Sequence, residues 1–339
     1  MRTSSLKACL VLVPLILAGV AQAQDALTIP FSPGPQGGYP EGIAWNADAG
    51  AFFVSSLRGG QIGLVSPSGQ YTTFSDDPRL ITTLGIVVDA ERNRVLICNE
   101  DVGISSKSSD GTRTRVAQVV EFDLDTGAVR HVHDFSSLTS GPILANDLTI
   151  DRDGNIYVTD SFQPQIYKVD HATKAVSVLV RSERLMPADP TEAVGTKPYL
   201  NGIVYHPDGF LIASDYSRGL LWKVPLNDPE ALEEVRLPQP LKGPDGLLLK
   251  SSTELVAVQS FPADDGSMAG DVTLLASADA WTSAQIEAVA IPDDLDGPTT
   301  ATPRDGEVWV VNSRFPRIFA DPANADRTTE FSIVKVRFE

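Results

Sequence analysis

Asn146-Asp-Leu-Thr-Ile-Asp-Arg-Asp-Gly154-Asn-Ile-Tyr-Val-Thr-Asp160 and Asn201-Gly-Ile-Val-Tyr-His-Pro-Asp-Gly209-Phe-Leu-Ile-Ala-Ser-Asp215 align without a gap. Each reads as a short strand, a tight turn ending in Gly, and a second strand of alternating pattern. Weaker copies begin at Glu41-Gly-Ile-Ala-Trp45, Leu84-Gly-Ile-Val-Val88 and Asp245-Gly-Leu-Leu-Leu249. A degenerate sixth runs from about Pro298 through Gly306-Glu-Val-Trp-Val-Val-Asn312. Successive copies start 43, 62, 55, 44 and 53 residues apart. A period near fifty built of strands is the signature of propeller blades, so the expected fold class is all-β, a six-bladed β-propeller. A two-sheet sandwich with chance similarity is the alternative. It does not explain why the second strands end at Ser56, Asn99, Asp160, Asp215, Gln259 and Asn312, all polar and, allowing one inserted residue in the first two copies, at equivalent places.

In a blade the first strand runs along the central channel and the second returns antiparallel beside it. The starts of the first strands and the ends of the second strands therefore share one face. At those starts stand Glu41, Leu84, Asn146, Asn201 and Asp245, with no ionisable group near Pro298. Glu41, Asn146, Asn201 and Asp245 are hard oxygen ligands whose summed charge suits a divalent cation. With no His or Cys among them the expected ion is Ca²⁺, ahead of Mg²⁺ or Mn²⁺, and Zn²⁺ is poorly suited. Two close carboxylates would otherwise repel each other. The competing reading takes Asn201-Gly202 and Asp245-Gly246 as ordinary turn dipeptides. Against it, Pro207-Asp208-Gly209 already supplies a turn downstream.

The composition agrees. Of 339 residues 42% are hydrophobic, which excludes wholesale disorder and a collagen-like fibre. Lys and Arg number 27 against 44 Asp and Glu, a formal net charge of -17. Such a chain offers no basic stripe to nucleic acid and is repelled by anionic membrane surfaces, but it favours cations. The start of the chain is basic through Lys7, apolar from Cys9 to Val20, and continues as Ala21-Gln22-Ala23. That layout predicts a signal peptide over residues 1–23 and a secreted or periplasmic protein, with a single propeller domain over residues 24–339. A transmembrane anchor is the alternative, for which the apolar run is short. After cleavage no membrane association is expected; the expected form is a monomer whose partner is a small-molecule substrate. Cys98, within Val95-Leu96-Ile97-Cys98, would be the one cysteine left, and reads as an inert core thiol.

Pro40-Glu41-Gly42, Asn146-Asp147, Asn201-Gly202-Ile203 and Pro244-Asp245-Gly246 resemble the gluconolactonase/regucalcin (senescence marker protein) family. Diisopropyl-fluorophosphatase and the paraoxonases are its more distant calcium-dependent relatives. The resemblance covers nearly all of the chain after residue 23 and implies that Glu41, Asn146, Asn201 and Asp245 hold a catalytic Ca²⁺ at the channel mouth. Residues 201–224 and 310–315 look closest to a calcium-dependent phosphotriesterase-like branch. Gly42 stands where paraoxonases carry an acid, and no His matches their His pair. The implied chemistry is electrophilic: the ion polarises a carbonyl or phosphoryl oxygen. Attack comes from a water activated by Asp245 or Glu41, or from the Asp245 carboxylate itself. Asp147, Asp160 and Asp215 are candidates for supporting or rim positions, or for strand-end residues that satisfy backbone donors.

No G-x-S-x-G, H-E-x-x-H, P-loop or G-x-G-x-x-G is present. His131 and His133 have the spacing of a metal pair without a third ligand and fit an exposed outer strand, and His206 falls at a bottom turn. Residues 182–200 lead into Asn201 and read as a lid, while 101–116 and 262–270 are long polar connections. Tyr39, Phe162, Phe261 and Phe315 are candidates to line an apolar pocket. The expected function is hydrolysis of lactones or related esters. The alternative is a non-catalytic binding propeller with a structural calcium; a strictosidine-synthase-like propeller fits less well because that branch lacks the metal quartet.

Overall fold

The computed structural model describes residues 28–34, 38–186, 198–262, 268–293 and 295–338. Strand β1 (Thr28–Phe31) is followed by blade 1, made of β2 (Ile43–Asn46), β3 (Ala51–Val54), β4 (Ile62–Val65) and β5 (Tyr71–Ser75). Blade 2 holds β6 (Thr82–Asp89), β7 (Arg94–Glu100), β8 (Ala117–Asp123) and β9 (Val129–Asp134). Blade 3 holds β10 (Ala145–Ile150), β11 (Ile156–Asp160), β12 (Gln165–Val169) and β13 (Val176–Arg181). Blade 4 holds β14 (Leu200–His206), β15 (Phe210–Asp215), β16 (Leu220–Pro225) and β17 (Glu233–Glu234). Blade 5 holds β18 (Pro244–Leu249), β19 (Glu254–Pro262), β20 (Met268–Ala276) and β21 (Gln285–Ala290). Blade 6 holds β22 (Pro298–Arg304), β23 (Glu307–Asn312) and β24 (Phe331–Val336), with helix α1 (Phe315–Ala320) between the last two.

The result is six four-stranded antiparallel sheets. The innermost strands β2, β6, β10, β14, β18 and β22 each pack against the next, and β22 packs against β2, so the ring closes. The six-bladed propeller expected from the repeat is the fold observed. One element lies outside that repeat. β1 pairs with β24, Thr28 opposite Val334 and Phe31 opposite Phe331, so the outer strand of the last blade comes from the other end of the chain.

The repeat is legible because each blade is squeezed between two others. Every residue of β7 and of β15 is buried, and each strand carries a continuous apolar run, residues 95–98 and 210–213. The outermost β21 instead alternates between exposed and half-buried positions. The turns joining first and second strands close on Gly154 and Gly209, both at positive φ, where a side chain is disfavoured. Aromatics fill the gaps between blades: Phe135 stacks on Tyr167 at 4.5 Å, and Phe52 packs between Trp45 and Trp309. Each fully buried side chain of this size contributes about 1.5–3 kcal/mol. Cys98 is buried and unpaired, in keeping with a core thiol. Among the described residues no helix is long and apolar enough to cross a membrane. The predicted signal peptide, residues 1–23, lies outside the described residues.

Candidate active site

Five innermost strands break register at the same level. The breaks fall between Thr83 and Ile86, Ala145 and Leu148, Leu200 and Ile203, Pro244 and Leu247, and Pro298 and Ala301. Within them sit Leu84, Asn146, Asn201, Asp245 and Thr299. A bulge frees a residue from the ladder and re-aims its side chain. In blade 1 the equivalent Glu41 and Gly42 precede β2, and both N–H groups donate to Ser55 Oγ, at 3.1 and 2.7 Å. Glu41, Asn146, Asn201 and Asp245 thereby line one cavity of about 630 Å³. Asn201-Gly202 and Asp245-Gly246 thus lie inside strands, not in connecting turns. The glycine has a packing reason: a Cβ on Gly202 would stand 2.4 Å from the Asp245 carbonyl oxygen.

Hydroxyls from one blade hold these bulges in the next. Thr159 of blade 3 donates to the Asn201 carbonyl at 2.6 Å, and Ser214 of blade 4 to the Asp245 carbonyl at 3.0 Å. Thr299 of blade 6 donates to the Glu41 carbonyl at 2.7 Å. Asn146 is fixed through its side chain, whose amide donates to Ser161 Oγ at 2.8 Å while Ser161 donates onward to the Leu200 carbonyl. Tyr39, just before Pro40 and Glu41, is held at φ 62° by its hydroxyl on the Ala325 carbonyl and its ring against Phe331. A non-glycine residue in that region is strained and persists only where its surroundings dictate it.

The side-chain oxygens aimed into the cavity are unspent. Glu41 Oε2, Asn146 Oδ1, Asn201 Oδ1 and Asp245 Oδ1 are each buried without a hydrogen-bond partner. Burial pushes the Glu41 carboxyl well above the usual range, and Asp245, Asp147 and Glu100 push it further. Burial also raises Asp245, reinforced by Asp147 and only partly offset by the Asn201 amide. Buried acceptors without donors are costly, and so are facing carboxylates. A hard divalent cation fits both deficits at once, with two carboxylates for charge and two amide oxygens for coordination. Among the described residues no three His, Cys, Asp or Glu side chains cluster at ligand distance, so the amides are needed to complete such a set.

The remaining candidates are placed differently. Asp147 lies beside the quartet but turns to the backbone, accepting from Leu148 N at 2.8 Å and Ile203 N at 3.3 Å; burial brings its carboxyl up to about 7. Asp160 accepts from the N–H groups of Leu144, Phe162 and Gln163 and from Tyr167, and Asp215 accepts from Arg218, Ser217 and Trp222. Neither lines the cavity. Asn99, Gln259 and Asn312 repeat the Asp160 device, taking the N–H of Ile81, Lys242 and Asp296. The polar strand ends therefore tie down the connections of the top face.

Glu100 belongs to the site and has no sequence signal beyond following Asn99. It lines the cavity and is fully buried, and the Thr82 hydroxyl stands beside it without closing a full hydrogen bond. Burial and then Asp101 raise its carboxyl. Phe162 and Phe315 line the cavity as expected, while Tyr39 and Phe261 stand elsewhere. Of residues 182–200, those from 187 to 197 lie outside the described residues, and Pro198 borders the cavity. His131 is exposed on the outer strand, but His133 is buried, 3.6 Å from Glu121, which corrects the expectation of an exposed pair. His206 stacks on Phe210 at the far end of β14.

The family described as "SMP-30/Gluconolactonase/LRE-like region" matches residues 39–260. No protein of curated function matches the sequence. Among solved structures, the chain is similar to the major allergen Mala s 1 of Malassezia sympodialis, with a TM-score of 0.68 and 17% identity over 91% of this chain and 96% of that one. It is similar to a gluconolactonase of Xanthomonas campestris, with a TM-score of 0.59 and 17% identity over 93% and 90%. Virginiamycin B lyase of Staphylococcus aureus is also similar, with a TM-score of 0.52 and 11% identity over 92% and 100%. At such identities these likenesses concern the fold, which hosts different activities.

Proposed function

The chain belongs to the SMP-30/gluconolactonase/LRE-like family, and from that premise we propose that it is an exported, calcium-dependent hydrolase of lactones or related esters, with phosphotriesters as related substrates. One observation carries the reading: four residues from four blades each turn a buried, unpartnered oxygen into one cavity. Asn146 and Asn201 would contribute neutral amide oxygens to the ion, Glu41 and Asp245 the compensating charge. When bound, the ion supplies a Lewis acid that polarises a carbonyl or phosphoryl oxygen.

The chain's own residues supply the rest. The buried floor keeps bulk water from competing with the reacting carbonyl. A water held against Asp245 or Glu41 would lose its proton to that carboxylate as its oxygen bonds to the acyl carbon or phosphorus. The ester C–O or P–O bond would then break, the departing alkoxide taking that proton. Alternatively the Asp245 carboxylate would attack directly and expel the alkoxide, and water would then hydrolyse the resulting acyl- or phosphoryl-enzyme. The straps from Ser214 and Thr299 fix the backbone from which each carboxylate projects.

The test is hydrolysis by the purified protein of a mixed panel: aldonolactones, alkyl lactones, aryl esters and an organophosphate. Turnover is expected to vanish on chelation and return when Ca²⁺ is restored. Calcium binding without turnover of any member would overturn the hydrolase and leave a binding propeller. Turnover indifferent to chelation would overturn the metal.

A further inference from the structure

Resting on the hydrolase reading of this cavity, we infer that its substrate is an uncharged ester or lactone carrying a large apolar group, an alkyl chain or an aryl ring, and not a polyhydroxylated sugar lactone. Outside the quartet the lining of the cavity is mostly apolar. Leu84, Leu144, Phe162, Met268, Phe315 and Phe319 form its walls. Beyond the quartet, the polar residues that line it among the described residues are Glu100, Tyr216 and Ser260. The Tyr216 hydroxyl is already spent on the Ser260 carbonyl at 3.0 Å. Among the described residues no lysine or arginine lines the cavity.

A sugar lactone brings several hydroxyls, each losing water on entry and each needing a protein partner. Sites that recognise hydroxyls place a hydrogen-bonding group opposite each one. These walls offer hydrocarbon instead. An alkyl or aryl group entering the same space removes apolar surface from water on both sides. At about 630 Å³ the cavity also has room for a group much larger than the reacting carbonyl.

Two further features sharpen the class. Phe319 lines the cavity on α1 yet is 56% exposed, one of few large apolar side chains so placed. It extends the apolar wall to the rim, where a chain longer than the cavity would still find a surface. Glu100 is the acid beside the quartet in this lining. Burial favours its protonated, neutral form, so it brings no negative charge to pair with a cationic substrate and leaves the apolar lining to select the group that enters.

The experiment compares kcat/KM, with calcium present, for alkyl lactones that differ only in chain length and for glucono-δ-lactone. The expected result is a rise of roughly fourfold per added methylene until the chain passes the rim, with glucono-δ-lactone at least about a hundredfold below the best alkyl lactone. Phe162→Ala and, for a position where folding is not at risk, Phe319→Ser should flatten the rise while leaving the calcium-induced shift in melting temperature unchanged. A preference for glucono-δ-lactone, or turnover independent of chain length, would overturn the inference and leave the hydrolase intact. If nothing turns over, the corresponding alkyl lactams, measured by calorimetry, separate the two readings. Affinity that grows with chain length would then overturn the hydrolase alone, and flat affinity would overturn the apolar pocket as well.

Discussion

Two groups of buried acids occupy opposite ends of the blades, and the protein treats them in opposite ways. At the far end, Asp89 and Glu121 enclose Arg94, whose side chain is itself buried, at 2.9 and 3.2 Å, and Arg94 also donates to the Gly154 carbonyl of the next blade. Lys174 and His133 each stand 3.6 Å from Glu121. Burial pushes the Glu121 carboxyl up, but the His133 ring, Arg94 and Lys174 together outweigh it and hold it at about 2. At the channel mouth Glu41, Glu100 and Asp245 are as deeply buried and all three are driven upward. The difference is the built-in cation. Asp89 and Glu121 share a buried arginine, whereas among the described residues no arginine or lysine lines the cavity that holds Glu41, Glu100 and Asp245.

The largest expected effect tests that contrast directly. Arg94→Ala strands two buried carboxylates and should cost about 3–5 kcal/mol of stability. Asp245→Asn removes charge from the other group and should leave the stability of the calcium-free protein unchanged or higher, while abolishing turnover and the stabilisation by added calcium. Urea denaturation of both variants with and without calcium measures this. An Asp245→Asn protein destabilised as severely as Arg94→Ala would mean that the mouth acids are architectural too, and the comparison would fall.

How much of this was legible follows from the range over which each feature acts. The blades were legible because two copies align without a gap, and the quartet because its members stand at one position of that repeat. β1 was not, since Thr28–Phe31 has no copy to align with and its partner is almost the whole chain away. Glu100 was hidden behind Asn99, the polar strand end that the repeat singled out. Asp160 and Asp215 looked like rim acids because the repeat reports that a position is polar, not which donors it meets. The hydroxyl straps were invisible for a related reason: each acts on a backbone carbonyl in the next blade, and a carbonyl leaves no mark in a sequence.

Acidity separates the two ends with opposite sign. Asp160, at the mouth end, is satisfied by neutral donors alone, and burial keeps its carboxyl at about 6. Folded, it binds its proton more tightly than unfolded, so its contribution to stability grows as pH falls through about 6 toward the ordinary carboxylate value near 4. Glu41, Glu100 and Asp245 add in the same direction. Glu121 does the reverse: its stabilisation is full above its ordinary value and is lost as pH falls toward about 2. The chelated protein should therefore be most stable at mildly acidic pH, with calcium moving the optimum toward neutrality. Denaturant midpoints across pH, with chelator and with calcium, read both limbs. Midpoints of the chelated protein that climb steadily from pH 5 to pH 7 would contradict the account of the mouth.

The smallest effect concerns the straps. Thr159→Val and Ser214→Ala each delete one hydroxyl bonded to a quartet carbonyl, and each should cost about 1 kcal/mol of stability. Tyr157→Phe deletes a comparable bond at the other end, from Tyr157 to Asp151 at 2.8 Å, and should cost a similar amount. Stability alone thus cannot tell the ends apart, but calcium can. Supports of this kind around a metal site typically carry about 10–100-fold in affinity. Calorimetric titration should show weaker calcium binding in Thr159→Val and Ser214→Ala and unchanged binding in Tyr157→Phe. Equal affinity in all three would mean that the bulges hold their aim without the straps, and that the four oxygens are placed by the register breaks alone.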